Sequence, residues 1–380
     1  MSRAALLAQL FNAAQTPVGV AGTSGKSTTV AMIAWILHAS GRDPTVMNGA
    51  VMKNFIRADA LFTSALVGKG PAFVSEIDES DGSIAMFTPK IAVLNNVSLD
   101  HKSMDELRAL FGDFLARAEV AVLNLDNDEV AALAPRAARA MTYGLAAKAD
   151  FGAQDIAVAP YGVSFTAIDR ASNARAAVSL KVPGRHNVSN ALAAIVACVA
   201  AGVGFDEAAK ALGDFQGVRR RFELVGEAAG VAVIDDFAHN PDKIAATLKT
   251  LHDFPGRLLV MFQPHGFGPL KKMKTELTAC FADHLGVDDI LLMPEPVYFG
   301  GTADRSVSSG DIVAGVAAAG KQAEALATRE DCGKRLLDLA RAGDRIIVTN
   351  GDSMEQRGST NTLRLLEIGT GGQVVGLGEL

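Results

Sequence analysis

Near the start of the chain an apolar run, Val18 to Ala21, meets Gly22-Thr23-Ser24-Gly25-Lys26-Ser27-Thr28 and then a stretch with helical apolar spacing. Glycines at a strand-to-helix junction let successive backbone N–H groups converge on phosphate oxygens, and the helix adds its positive N-terminal end. Lys26 has the reach for the β- and γ-phosphates of a nucleotide, and the Ser27 hydroxyl suits Mg2+. The common spacing G-x-x-x-x-G-K-S/T puts Val20 where its first glycine would stand, so the match is partial. A glycine-rich turn without a ligand is the bland alternative; Gly-Lys-Ser-Thr directly after a buried strand favours nucleotide binding.

Further residues that could do chemistry recur along the chain. Glu76 closes an apolar run in SEIDESDGS, and Asp100 and His101 follow another in LNNVSLDHKSMDEL. Sites at the carboxyl ends of parallel strands converge beside the loop after the first strand, where a carboxylate and an imidazole can hold Mg2+. Read singly, the acidic cluster Glu76, Asp78, Glu79, Asp81 is also a solvated loop, and a lone histidine a surface residue. GRHNVSNALAAIVA sets His186, Asn187 and Asn190 at a helix start, where amides can read the edge of a base. GVRRRFE carries Arg219, Arg220 and Arg221, which also fit a basic surface strip. VIDDFAHNP places Asp235, Asp236, His239 and Asn240 between a strand and a helix, with Asn240 suited to cap that helix ahead of Pro241.

The elements that must position these residues follow from periodicity. Strands are expected at Val18 to Ala21, Ala72 to Glu76, Ile91 to Asn95 and Val120 to Asn124. Ser103 and Glu106 form a capping box ahead of a helix whose buried face is Met104, Leu107, Leu110, Phe111 and Phe114. Residues 151 to 183 alternate like a small antiparallel sheet. A second α/β series comprises strands at Val231 to Asp235, Leu258 to Phe262, Ile290 to Met293 and Ile346 to Thr349. Its first helix starts at Pro241 with Ile244, Leu248 and Leu251 on one face. The expected fold is α/β: a phosphate-loop domain on a mostly parallel sheet with a small antiparallel subsheet, then a Rossmann-like α/β domain, divided near residue 217. At the N-terminus, Leu6, Leu7, Leu10 and Phe11 fall on one face of a docked helix, and the apolar segment is too short for a signal peptide or a membrane span.

Composition narrows the partners. A chain of 380 residues with 49% hydrophobic content can bury two or three cores. Its net charge of −6 argues against nucleic acid or an anionic membrane as the main partner. Three widely spaced cysteines support neither a disulfide framework nor a zinc site, and a reducing cytoplasm is the expected location.

Taken together and in order, these motifs resemble those of the Mur ligase family, the ATP-dependent amide ligases of peptidoglycan synthesis and their relatives. The family loop GT-x-GK-S/T is matched by GTSGKST, which accounts for Val20. EIDESD is similar to the E-x-DESD stretch of the branches that add alanine to UDP-N-acetylmuramate or ligate murein peptides, and FQPH at 262 to 265 also resembles the alanine-adding branch. NNVSLDH, GRHNVSNALAA, GVRRRFE and DDFAHNP complete the series, so that the resemblance is firm from residue 17 to about 270.

The resemblance implies a central ATP-binding domain at 1–216 and a C-terminal domain at 217–380. It implies ATP and Mg2+ as cofactors, and a reaction in which a substrate carboxylate is phosphorylated to an acyl phosphate and then attacked by an amine. By the same carry-over, residues Gly22, Thr23, Ser24, Gly25, Lys26, Ser27 and Thr28 cradle the phosphates. Ser27 and Glu76 hold one Mg2+, and His101 helps hold a second. Asn187 and Asn190 contact adenine, Arg221 reaches the phosphates, Asp236 meets the ribose, and His239 orients the amine or the acyl phosphate. The implied partners are a small-molecule or peptide carboxylate and an amine or amino acid, without nucleic acid or membrane insertion and with room for a partner subunit.

The sequence departs from the family pattern in three places. Only 25 residues precede Lys26, so a UDP-binding domain is expected to be absent and UDP-linked acceptors to be poor substrates. No lysine lies between Met104 and Asn124, where some relatives use a carbamylated one, and FQPH continues as GFGPLKKM rather than with arginine and threonine. The acceptor pocket is therefore expected to differ, with Gly266 to Gly268, Gly300, Gly301, Lys271 and Lys272 as the place to seek substrate contacts. Two other readings stand beside the amide ligase: a ligase of the polyglutamate, cyanophycin or folylpolyglutamate type, and a non-catalytic nucleotide-binding subunit. Joint retention of Lys26, Glu76, His101 and Arg221 disfavours the last.

Overall fold

The structure is a computed structural model, described here for residues 2–99, 102–146, 148–296 and 305–350 and for two short strands beyond. The chain divides into two compact units, Met1–Arg219 and Arg220–Leu380.

In the first unit α1 (Arg3–Asn12) precedes β1 (Thr16–Ala21), and α2 (Lys26–Ala39) follows the glycine-rich loop. Then come β2 (Thr45–Met47), β3 (Ala65–Leu66), β4 (Ala72–Glu76), β5 (Ile91–Leu94), α3 (Met104–Ala116), β6 (Val120–Asn124), α4 (Asp128–Leu133) and β7 (Ala140–Gly144). Three longer strands, β8 (Phe151–Ala159), β9 (Gly162–Asp169) and β10 (Ala174–Leu180), lead to α5 (Arg185–Ala200) and α6 (Phe205–Ala211). All ten strands share one sheet in the order β10-β9-β8-β7-β6-β5-β1-β4-β2-β3. The run from β8 to β2 is parallel, while β9, β10 and β3 are antiparallel. The antiparallel strands expected at 151 to 183 thus extend the parallel sheet through the β7–β8 pairing.

Central strand β1 is buried and lies between β4 and β5. Its register sets Val20 beside Glu76 and Ala21 beside Leu94, so the carboxyl ends of three strands coincide where the loop begins. On one face the apolar surfaces of α2 and α5 fill a core that includes Val30, Ile33, Ile36, Leu192 and Ile195. On the other face α3 buries Leu107, Phe111, Phe114 and Leu115, with Met104 and Leu110 at its margin and the Ser103–Glu106 capping box at its start.

Helix α1 docks on this second core, but not by the expected face. Ala8 and Phe11 are buried, whereas Leu6 and Leu10 are 50% and 57% exposed. Phe11 meets Phe73 and Phe87 edge-on, which turns the Leu7, Ala8 and Phe11 stripe inward and the larger leucines outward.

The second unit contains β11 (Glu223–Ala228), β12 (Val231–Asp236), α7 (Pro241–His252), β13 (Leu258–Gln263), α8 (Phe267–Lys272), α9 (Lys274–His284) and β14 (Ile290–Pro294). It continues with α10 (Ser309–Ala318), β15 (Gln322–Leu326), α11 (Arg329–Leu339) and β16 (Arg345–Asn350). Its sheet runs β11-β12-β16-β13-β14-β15, parallel except for β11. Helices α7, α9 and α10 cover one face through Leu248, Leu251, Phe281 and Ile312, and α11 covers the other through Cys332 and Leu336. A separate antiparallel pair joins β17 (Leu366–Ile368) to β18 (Val374–Gly376). All three cysteines are free and buried, and burial pushes the Cys280 and Cys332 thiols up to about 11 and about 12. No helix among the described residues is long and apolar enough to cross a membrane.

Candidate active site

The chain leaves β1 at Gly22 and enters α2 at Gly25, with φ of +128° and +79° that few side chains tolerate. Space is as restrictive as conformation: a Cβ at Gly25 would stand 2.6 Å from Asn190 Oδ1. The loop is tied to the segment after β5. Thr23 N donates to Asn96 O at 3.1 Å, Ser24 N to Asn96 Oδ1 at 2.9 Å, and Ser98 N to Thr23 Oγ1 at 2.9 Å. Asn96 and Ser98 therefore hold the loop's shape, a role invisible in spacing alone. Beyond these ties, N–H groups in the first turn of a helix such as α2 have no acceptor within the helix and point toward an anion placed in the loop.

Lys26 and Ser27 open α2 and face the ends of β4 and its following turn. Lys26 Nζ donates to Gly22 O at 2.7 Å and lies 3.0 Å from Glu79 Oε2. Ser27 Oγ donates to Glu76 Oε2 at 2.8 Å, and Gly49 N donates to the same oxygen at 3.0 Å. The absence of a side chain at Gly49 leaves room for that carboxylate, since a Cβ would come within 2.7 Å of Glu76 Oε2 and push it aside. A hydroxyl and a carboxylate so juxtaposed are hard oxygen donors of the kind Mg2+ takes, and they would hold the ion in place of their mutual hydrogen bond. Asp100 and His101 lie outside the described residues. No group of three metal-ligating His, Cys, Asp or Glu side chains occurs among the described residues.

Asn187 and Asn190, on the first turns of α5, are 4% and 8% exposed. Their amides enter a buried chain beneath the loop. Asn187 Nδ2 donates to Pro183 O, Asn190 Nδ2 to Asn187 Oδ1, and Thr29 Oγ1 to Asn190 Oδ1, while Asn95 Nδ2 donates to Thr29 Oγ1. Tyr143 joins the chain by donating to Asn95 Oδ1, and burial raises its pKa further above the ordinary phenol value. Both asparagines thus belong to a chain that ties α5 to α2, with Asn190 packed under Gly25, contacts the sequence reading did not assign to them.

The second unit has its own polar cluster at the carboxyl end of β12. Arg220 and Phe222 adopt left-handed backbones, φ 60° and 50°, a strained conformation for such side chains. Hydrogen bonds hold it: Phe237 N to Arg220 O, Arg220 N to Glu223 Oε2, and Phe222 N to Asp236 Oδ1. The guanidinium groups of Arg220 and Arg221 lie 5.0 and 4.8 Å from the Phe237 ring centre. Asp236 also accepts from Thr247 Oγ1, so this carboxylate, expected at a ribose, already bolts β12 to α7 and to the segment before β11.

Arg220 lies 3.7 Å from Asp235, and burial pushes the Asp235 carboxyl up to about 7 against that guanidinium's pull. His239 is held down at about 4, first by burial and then by Lys243. Its Nδ1 lies 3.0 Å from Phe237 O, which can only accept, so the neutral ring carries its proton on Nδ1 and presents Nε2 as an acceptor. Asn240 caps α7 through Lys243 N at 2.9 Å, with Pro241 in the first turn. Near the GFGPLKKM stretch, Gly266 has φ +80° and Lys271 and Lys272 are exposed; Gly300 and Gly301 lie outside the described residues.

The chain is similar to known proteins along most of its length. The Mur ligase middle domain matches residues 20–198, and the Mur ligase glutamate ligase domain matches residues 220–350. A UDP-N-acetylmuramate–L-alanine ligase of Geobacter sp. (strain M21) is 34% identical over 375 residues, covering 96% of this chain and 78% of the relative. The enzyme of that name from Sorangium cellulosum (strain So ce56) is 38% identical over 362 residues, covering 91% and 74%. Among solved structures, the UDP-N-acetylmuramate-alanine ligase of Thermotoga maritima superposes with a TM-score of 0.72 at 24% identity, covering 90% of this chain and 73% of that one. A murein peptide ligase from Psychrobacter arcticus gives 0.66 at 25% identity, covering 92% and 77%. By its two domains and by relatives matched along nearly its whole length, the chain belongs to the Mur ligase family.

Proposed function

We propose that this protein is an ATP-dependent amide ligase that phosphorylates a substrate carboxylate and joins the resulting acyl phosphate to an amine, releasing ADP and phosphate. One observation carries the reading: the Gly22–Thr28 cradle opens onto Lys26, with the Ser27 hydroxyl and the Glu76 carboxylate in contact beside it. A pure binding subunit has no evident need for that pair. In this reading residues 1–216 bind ATP and residues 217–380 form the C-terminal domain, in a cytoplasmic enzyme.

The chemistry balances simply. A carboxylate oxygen attacks the γ-phosphorus and ADP leaves; the amine nitrogen then attacks the acyl carbon, phosphate leaves with the bonding pair, and the nitrogen sheds a proton. Lys26 and the first-turn N–H groups of α2 offset the charge that grows on the transferring phosphoryl oxygens. Ser27 and Glu76 would hold one Mg2+ and His101 would help hold a second, which when bound supply neutralisation of the phosphate oxygens. By the same resemblance Asn187 and Asn190 would contact adenine, Arg221 the phosphates and Asp236 the ribose, with Asn187, Asn190 and Asp236 giving up part of their present pairing to do so. Neutral His239, with Nε2 free of the proton, orients the incoming amine by accepting one of its hydrogens.

The test is ADP and phosphate release by purified protein across a panel of carboxylates and amines, UDP-linked and unlinked, with and without Mg2+. Turnover that needs Mg2+ and both organic substrates supports the ligase. ATP hydrolysis indifferent to every carboxylate and amine, or nucleotide binding without turnover, would favour the binding subunit. Glutamate as both acceptor and product terminus would favour the polyglutamate type.

A further inference from the structure

The contact between Lys26 and Glu79 is not explained by the ligase reading. Glu79 sits in the turn after β4, three residues beyond Glu76, and is only 4% exposed. Its two carboxylate oxygens lie 3.4 and 3.0 Å from Lys26 Nζ, and the paired side chains are 6% and 13% exposed. The same ammonium donates to Gly22 O, so it is folded back over its own loop.

We propose that Glu79 is a plug for the phosphate loop: it neutralises Lys26 while the loop is empty and sets nucleotide affinity by competing with the phosphates for that ammonium. This rests on the nucleotide-binding reading above. Both the carboxylate and a nucleotide phosphate seek the one cationic group of the loop, and a buried pair at this separation interacts more strongly than it would in water. An incoming polyphosphate must take the ammonium from Glu79 and also meets the repulsion of a carboxylate with little solvent around it. Lys26 also donates to Gly22 O, a bond that does not depend on the Glu79 charge and would keep the ammonium over the loop in its absence. Glu79 therefore acts on the nucleotide through Lys26, as a positioning residue.

The experiment compares Mg·ADP binding, by calorimetry and by the ligand-induced rise in Tm, in wild type, Glu79→Gln and Glu79→Asp. Gln removes the charge at constant length; Asp keeps it but withdraws the carboxylate from Lys26. Both variants are expected to bind Mg·ADP at least threefold more tightly than wild type, Gln by the larger factor, and to show a larger Tm rise on binding. In turnover, Gln should lower KM for ATP more than it changes kcat. A residue that merely supports the turn cannot improve affinity when altered. Unchanged or weaker Mg·ADP binding in the variants that fold would overturn the plug while leaving the ligase reading intact. A wild-type protein that binds no nucleotide would overturn both.

Discussion

A methyl group at Gly49 would stand 2.7 Å from Glu76 Oε2, at the point where Glu76 also receives the Ser27 hydroxyl. Gly49→Ala should therefore displace the carboxylate and lower apparent Mg2+ affinity roughly tenfold or more, as loss of a ligand's support commonly does. Mg2+ titration of phosphate release checks this, with far-ultraviolet dichroism to establish the fold; unaltered Mg2+ dependence would detach Glu76 from the metal. His239 gives a pH test. Its pKa falls from 6.5 in the unfolded chain to about 4 in the folded one, so the stability tied to its neutral ring is complete above pH 6.5 and is lost as pH drops toward 4. The stability difference between wild type and His239→Gln should accordingly narrow between pH 6.5 and 4 in urea titrations, and a constant difference would contradict the buried neutral ring. Residue types and spacing exposed the loop, Glu76 and His239 because each lies at the end of an apolar run. Glu79, Asn96 and Ser98 were not legible as loop partners, since their contacts depend on which turn folds against which.

Elements repeat this contrast. Strands β4 and β6 occupy the residues that β-branched runs mark out, and α7 buries Ile244, Leu248 and Leu251 as its periodicity requires. The missed strands include β2 and β3, with three and two residues, β7 and β11 beside better-marked neighbours, and edge strand β15, which reads QAEAL with no buried position. Their pairing comes from the neighbouring strand rather than from their own composition. Helix α1 was placed but turned, because leucine size suggested a face that the aromatic contacts of Phe11 overrule. Capping was readable from local chemistry. Asn240→Ala removes the Asn240 Oδ1 contact to Lys243 N and should destabilise the protein by about 1 kcal/mol in urea unfolding. A change below a few tenths would mean that Pro241 and packing alone start α7.

At the scale of the molecule, each unit encloses its own cores, with Ile33 fully packed in the first and Phe281 in the second. Truncation of either side chain to alanine should cost about 2 to 5 kcal/mol. Calorimetry should then show Ile33→Ala and Phe281→Ala lowering different transitions; one transition moved equally by both would mean the units melt together. The parallel order of both sheets was readable from alternating runs, whereas the continuity of the antiparallel strands with the first sheet rests on the β7–β8 pairing, which no local pattern announces. The central claim is that the loop at Gly22–Thr28 drives carboxylate activation. Its most direct test is ADP release by wild type and Lys26→Ala with Mg2+, a productive carboxylate and an amine. We expect wild-type release to require both organic substrates and Lys26→Ala, still folded, to lose at least about a hundredfold in turnover. Retained turnover in folded Lys26→Ala would contradict the assignment of this loop as the catalytic phosphate site.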